Sequence, residues 1–293
     1  MKNKSRYILF LNVILILVIA SGCAKPSENE IPSYVAIDTI SLKVNSMQGT
    51  ASQKVTDSWV YADNDLIGAF ELPSRFPVLK SGTSTLSIFA GIKLNGINET
   101  RVPYPFYDRI QKTVTLEKEK ITDLGHLTFY YAAATKFAWL EDFEQVNLTL
   151  DSTARSEVNF TRARLDELET AFPGEGNDYA AKVVIPKENL VFESVSHNAF
   201  VLPTDGTSAF LELNYKTNNP FTVGLVINGA VTSLRPILVI NPSSKWNKIY
   251  INLTPTLASY AGTSSFKVYF TSVKSTSEPN AEIFFDNIKL LHF

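Results

Sequence analysis

From Tyr34 onward, apolar and polar residues alternate in short runs broken by turn residues, a period of two that places successive side chains on opposite faces of a strand. Between Tyr34 and about Thr135 the pattern predicts seven short strands, beginning with YVAIDTISLKV. KVTDSWVYAD and DLIGAFELP flank a tight Asp63-Asn64-Asp65 turn, a strong hairpin signal. STLSIFAGIKL, KTVTLE and HLTFYYAA follow, and ETRVPYPFYDRI, with Pro103 and Pro105, reads as an edge or a loop. After Ala199 the strands become very regular: AFLELNYKT, FTVGLVING, SLRPILVI, KWNKIYINL, SFKVYFTSV and AEIFFDNIKLL. LDELETAF (165–172) and TLASYAG (256–262) carry weak helical spacing. The expected fold class is all-β, with an immunoglobulin-like or transthyretin-like sandwich over 34–136 and a second domain over 137–293.

The chain starts differently. Lys2, Lys4 and Arg6 precede an apolar run from Tyr7 to Ala20, broken by Asn12. That run is shorter than the roughly 20 residues a bilayer span needs, so 1–22 reads as a secretory signal peptide. Ala20, Ser21 and Gly22 lead into Cys23, the only cysteine in the chain. This stretch resembles the lipobox of bacterial lipoproteins, although Ala20 stands where that family most often has leucine. The resemblance implies acylation of Cys23 with fatty acids such as palmitate. It also implies a bilayer partner and an outer-membrane location, at the cell surface or the periplasmic face. Residues 23–33 would then be a polar, proline-bearing tether. A single cysteine also rules out an internal disulfide.

Losing residues 1–22 takes the net charge from −2 to −5, because three positive charges go with them. A mildly acidic chain without basic runs argues against a nucleic-acid partner. Hydrophobic residues make up 45% and aromatics 12%, enough for packed cores in both expected domains.

The opening EDFE, the YAAKV and FLELNYKTN strands, WNKIYINL and the closing FFDNIKL resemble galactose-binding-like jelly rolls, which include many carbohydrate-binding modules. The resemblance implies a jelly roll over 137–293. It also implies a structural calcium held by Glu144 and Asp286, with Asp142 close by; hard oxygen ligands suit that ion. No other cofactor is expected.

Alternation divides the later strands into faces. Leu211, Leu213 and Tyr215, then Ile249, Ile251 and Leu253, then Phe266, Val268 and Phe270 form the expected core. The opposite sets mix rings with amides and charges: Phe210, Glu212, Asn214 and Lys216; Trp246, Lys248 and Tyr250; Lys267, Tyr269 and Thr271. Rings that cover a sugar's C–H face, beside groups that hydrogen-bond its hydroxyls, are what a glycan needs. Trp246, Tyr250, Tyr269, Glu212 and Asn214 are the expected ligand-binding residues. The same composition also suits a sheet whose polar face is merely wet. The aromatic loop around Tyr104, Phe106 and Tyr107 is read either as a contact patch or as rings folded back over the sandwich edge.

His126, His197 and His292 are far apart, and no HExxH, GxSxG or CxxC pattern occurs. The expected function is therefore non-enzymatic: a cell-envelope lipoprotein whose jelly roll captures a glycan. The alternative is an accessory subunit of an outer-membrane complex that uses the jelly roll as a protein interface.

Overall fold

A computed structural model of the chain describes residues 31–166, 169–174, 176–229, 232–263, 265–275 and 279–293. The expected signal peptide, Cys23 and tether residues 23–30 lie outside them. Among the described residues no helix is long and apolar enough to cross a membrane.

The N-terminal strands are β1 (Ser33–Ile37), β2 (Ile40–Lys43), β3 (Asp57–Ala62), β4 (Asp65–Glu71), β5 (Ser74–Val78), β6 (Gly82–Lys93), β7 (Arg101–Pro103), β8 (Ile110–Leu116), β9 (Ile121–Asp123) and β10 (Leu127–Tyr130). The run expected as one strand, YVAIDTISLKV, breaks at Asp38–Thr39. Its halves join different sheets, β1 between β5 and β9, and β2 beside β10. Strands β4, β3, β6 and β7 form a third sheet, with β8 also on β6. The β3–β4 hairpin turns on Asp63 and Asn64, both at positive φ (50° and 78°), as a two-residue turn of this hand requires. Val35, Val60, Phe76, Ile88 and Phe129 fill the core between these layers.

The C-terminal strands are β11 (Lys136–Glu141), β12 (Leu150–Ser152), β13 (Phe160–Arg164), β14 (Tyr179–Ile185), β15 (Val191–Ser196), β16 (Ala209–Thr217), β17 (Phe221–Asn228), β18 (Thr232–Ile240), β19 (Ser243–Asn252), β20 (Ser265–Val273) and β21 (Ala281–His292). They make two antiparallel sheets of a jelly-roll sandwich. One runs β13-β14-β21-β16-β19 with β11 also on β21; the other runs β12-β15-β20-β17-β18. The predicted inward residues do face each other here: Leu211, Leu213, Tyr215, Ile249, Ile251, Leu253, Phe266, Val268 and Phe270 share one core. The weak helical signal near 256 is a single turn, α1 (Thr254–Ala258).

One irregularity decides where side chains go. In β21, Asn287 sits at φ 50°, and the register against β16 jumps between Glu212 and Asn214. This β-bulge shifts the alternation by one residue. Ile283 and Phe285 point inward before it, Ile288 and Leu290 after it, so Lys289 and Leu291 turn to the outer face.

Candidate functional site

The outer face of the β13-β14-β21-β16-β19 sheet carries most of the residues expected to bind a ligand, and it divides into a covered half and an open half.

The covered half lies under the N-terminal sandwich. Phe210, Tyr250 and Leu291 belong to the N-terminal core, together with Tyr104, Phe106, Tyr107 and Tyr131. The proline-bracketed loop is therefore no exposed patch: its rings fold inward and pack against the chain's own jelly roll. Tyr104 packs edge-on to Phe210 and tilted against Tyr250, with centroids 5.6 and 4.8 Å away. Each ring buried this way stabilises the junction by roughly 1.5–3 kcal/mol of removed apolar surface.

Within this apolar seam sits a charged cluster. Glu212, fully buried, accepts hydrogen bonds from the hydroxyls of Tyr104 (2.7 Å) and Tyr131 (3.0 Å) on Oε1. Lys248 Nζ lies 2.7 Å from Oε2, but off the hydrogen-bonding axis, so attraction between opposite charges holds the pair. Lys289 donates to the carbonyl of Thr50 and to the Tyr131 hydroxyl. Burial alone would push the Glu212 carboxyl up; the charges of Lys248 and Lys289 and the hydrogen bond from Tyr104 outweigh it and hold the group below the usual carboxylate range. Burial lowers the Lys289 ammonium to about 7, against the pull of Glu212. The extended segment before β3 crosses the same face in steps of two residues. Thr50 donates to Asn287 Oδ1, Ser52 to Asn214 Oδ1 (2.8 Å), and the Lys54 amide to the Tyr250 hydroxyl (2.8 Å).

Three of the five expected binding residues thus meet the chain itself. Glu212, Asn214 and Tyr250 are buried under the other sandwich. Tyr269 is also buried, on the opposite sheet, with its ring over Gly224. A Cβ on Gly224 would stand 2.5 Å from that ring and 2.4 Å from the Arg235 carbonyl, so the glycine makes the ring's seat. Burial, and after it the Glu193 carboxylate, pushes the Tyr269 phenol up. Trp246 remains on the open half. Strand alternation separated these residues from the core, but it grouped Tyr269 with four residues of the other sheet and could not say that a second domain covers part of their face.

The open half holds a cross-strand row. Lys182 on β14 stands opposite Phe284 on β21, which stands opposite Lys216 on β16. The two ammonium groups lie 5.3 and 5.1 Å from the Phe284 ring centroid. Trp246 on β19 packs edge-on to Phe284 at 6.1 Å, and its indole N–H donates to the Glu169 carbonyl. Beside the row opens a cleft of about 400 Å³ lined by Asn218, Ser243, Ser244, Glu282 and Phe284 among others. Glu282 is the one carboxylate lining it among the described residues, and it faces Lys182 at 3.6 Å. Phe284 was missed in the sequence because it lies in a run with apolar residues at both parities.

Of the expected calcium ligands, Asp286 is raised in proton affinity first by burial and then by Glu144 and Asp142, while Glu144 is raised first by burial and then by Asp142 and Asp178. Their oxygens already have protein partners. Glu144 Oε1 accepts from the Tyr179 amide, and Asp286 accepts from Asn177 Nδ2 and the Asn287 amide. Arg162 donates to the carbonyls of Phe143 and Glu144. No group of three or more His, Cys, Asp or Glu gathers among the described residues. Calcium needs six to eight oxygens, and this set does not fit it.

No family model matches the chain, and no curated protein matches it. Solved structures give partial likenesses. An arabinose-bound α-L-arabinofuranosidase, MgGH51, aligns at 16% identity and a TM-score of 0.38 over 53% of this chain and 27% of its own. A carbohydrate-binding module of family 29 aligns at 11% and 0.33 over 54% and 87%. TmCBM61 in complex with β-1,4-galactotriose aligns at 11% and 0.32 over 49% and 87%. The chain therefore spans about a quarter of the arabinofuranosidase's length. At these values the jelly-roll architecture rests on the strand pairings themselves.

Proposed function

We propose that the protein is a non-catalytic cell-envelope lipoprotein that captures a glycan on the open half of its jelly-roll face. The observation that carries this reading is the row Lys182–Phe284–Lys216, with Trp246 edge-on to it, beside a cleft rich in amide and hydroxyl groups. A half-buried indole can cover the C–H side of a sugar ring, while Asn218, Ser243 and Ser244 exchange hydrogen bonds with its hydroxyls. Glycoside hydrolysis by the usual route employs two carboxylates across the scissile bond. A cleft with Glu282 as its described carboxylate favours capture over cleavage.

In this reading Cys23 carries the lipid anchor, whose several acyl chains, at about 0.8 kcal/mol per buried methylene, would hold the chain on the outer membrane. Affinity electrophoresis against a panel of polysaccharides tests the capture. The chain should be retarded by at least one, and Trp246→Ala should abolish the retardation. A chain retarded by none, or a variant retarded as strongly as the parent, sinks the reading. Labelling with radioactive palmitate tests the anchor, and Cys23→Ser should remove the label.

A further inference from the structure

A second opening lies at the junction of the two sandwiches, on the free edge of β19. The loop after β6 docks there: the Asn95 amide donates to the Tyr250 carbonyl (2.9 Å), and Asn95 Oδ1 accepts from the Asn252 amide (2.8 Å). Between this loop, the segment before β3 and the β18–β19 turn remains a crevice of about 250 Å³. Lys54, Lys93, Asn95, Asn98, Asn241 and Tyr215 face into it. No Asp or Glu lines it among the described residues. Lys248 also borders it, but Glu212 neutralises that ammonium from the buried side.

We propose that this crevice binds a hydroxylated carboxylate of one-ring size, the chemistry of a hexuronate. The charge comes first. Lys54 and Lys93 are two ammonium groups with no carboxylate between them, and Lys93 makes no ion pair among the described residues. Burial, and then Lys93, lowers the proton affinity of Lys54, as expected where positive charge waits for an anion. Lys54 is aimed rather than loose: its ammonium donates to Asn247 Oδ1, whose own amide donates to the Tyr215 hydroxyl (2.8 Å). The neutral groups then say what kind of anion fits. Asn95 keeps its NH₂ free of its Oδ1 contact, Tyr215 keeps its hydroxyl proton, and Asn98 and Asn241 add two more amides. Several neutral donors and acceptors around a charged pair suit a ring with hydroxyls and one carboxylate better than a bare inorganic ion. The volume lies just below the roughly 300–1,000 Å³ of ordinary ligand pockets, which limits the site to about one ring.

This site is independent of the cleft beside Phe284. Residues 239–241 border the crevice and 242–244 the cleft, so one turn separates them.

Isothermal titration of the intact chain with glucuronate, glucose and inorganic phosphate tests the proposal. Glucuronate should bind saturably, with glucose and phosphate at least about tenfold weaker, since a charge-assisted contact is worth about that factor or more. Lys93→Gln, on a part-exposed side chain, should weaken glucuronate roughly tenfold, and Asn241→Ala should weaken it less. Melting temperature should stay unchanged in both. An oligouronide that binds as the monosaccharide does identifies a polysaccharide source, and one that is excluded identifies a free sugar acid. Absence of saturable glucuronate binding, glucose or phosphate binding equally well, or an unaffected Lys93→Gln overturns the proposal. Trp246→Ala should leave glucuronate binding intact, which separates failure here from failure of the glycan reading at the open cleft.

Discussion

Two halves of one sheet face carry almost the same residue types to opposite ends. On the covered half, Glu212, Lys248, Lys289 and Tyr250 stand on β16, β19 and β21; on the open half, Lys182, Lys216, Glu282, Phe284 and Trp246 stand on β14, β16, β19 and β21. Rings, ammonium groups and a carboxylate occur in both. The difference is what lies above them. Over the first half the N-terminal sandwich excludes water, so each charge is held by a counter-charge or by phenol hydroxyls. Over the second, water solvates the charges, and Lys182 and Glu282 approach no closer than 3.6 Å. The same chemistry thus serves assembly where it is dry and leaves groups free for a ligand where it is wet.

The comparison breaks most sharply at Glu212. Glu212→Gln removes the negative charge and leaves Lys248, almost fully buried, without its partner. Losing one member of a buried pair costs about 3–5 kcal/mol. Chemical denaturation should show that loss. A change below about 1 kcal/mol would mean that water reaches the junction and that the two halves are not different in kind.

Tyr104→Phe should cost less, about 2 kcal/mol, because it takes one hydroxyl from a buried carboxylate that keeps Tyr131 and Lys248. The same measurement checks it. Fully additive costs for Glu212→Gln and Tyr104→Phe combined would contradict a shared network, since the Tyr104 hydroxyl bonds the charged carboxylate more strongly than a neutral amide oxygen.

Much of this division is legible in the residues themselves, and part of it is not. The strand alternation separated Leu211, Leu213, Ile249, Ile251 and Phe270 from their opposite sets, and all five lie in the jelly-roll core. A period of two assigns sides; it does not say what covers a side. Glu212, Asn214 and Tyr250 therefore read as an open binding face although a domain lies on them. A signal for the cover was present. Phe210 interrupts the polar set on β16, and β21 is apolar at both parities, which marks a strand buried on both faces. The bulge at Asn287 left no pattern that alternation alone would expose. It is why Lys289 and Leu291 share the outer face with Phe284.

Lys289 provides a sharper, smaller test. Its folded-state pKa is about 7, and an unfolded lysine titrates near 10.4. Between those values the unfolded chain holds a proton that the folded chain has released, so stability contributed through this residue rises with pH from about 7 to 10. Above pH 10 the slope reverses, because burial raises the phenols of Tyr104, Tyr107, Tyr131 and Tyr250 and the unfolded tyrosines ionise first. Lys289→Met should flatten the rise between pH 7 and 9, because it removes the proton that the unfolded chain holds and the folded chain has released. Denaturation midpoints at pH 7, 8 and 9 measure it. A variant whose stability still climbs like the parent's would place the titration elsewhere.

The smallest effect belongs to the open half, and its smallness is the point. Trp246 is half-buried, donates one hydrogen bond to the Glu169 carbonyl and touches Phe284 edge-on, while Lys216 holds a cation over the same ring. Nothing there is sealed from water by a second domain, so losing either side chain leaves no stranded charge. Trp246→Ala should cost about 1 kcal/mol, and Lys216→Gln about 0.5 kcal/mol or less, as solvent-facing changes do. Thermal melts of the two variants beside Glu212→Gln settle the contrast directly. If Trp246→Ala unfolds the chain as readily as Glu212→Gln, the indole is a structural pin for the backbone at Glu169 and not a platform. If it melts with the parent while glycan retardation disappears, residues of one composition on one face have been sorted into two tasks by whether a domain lies over them.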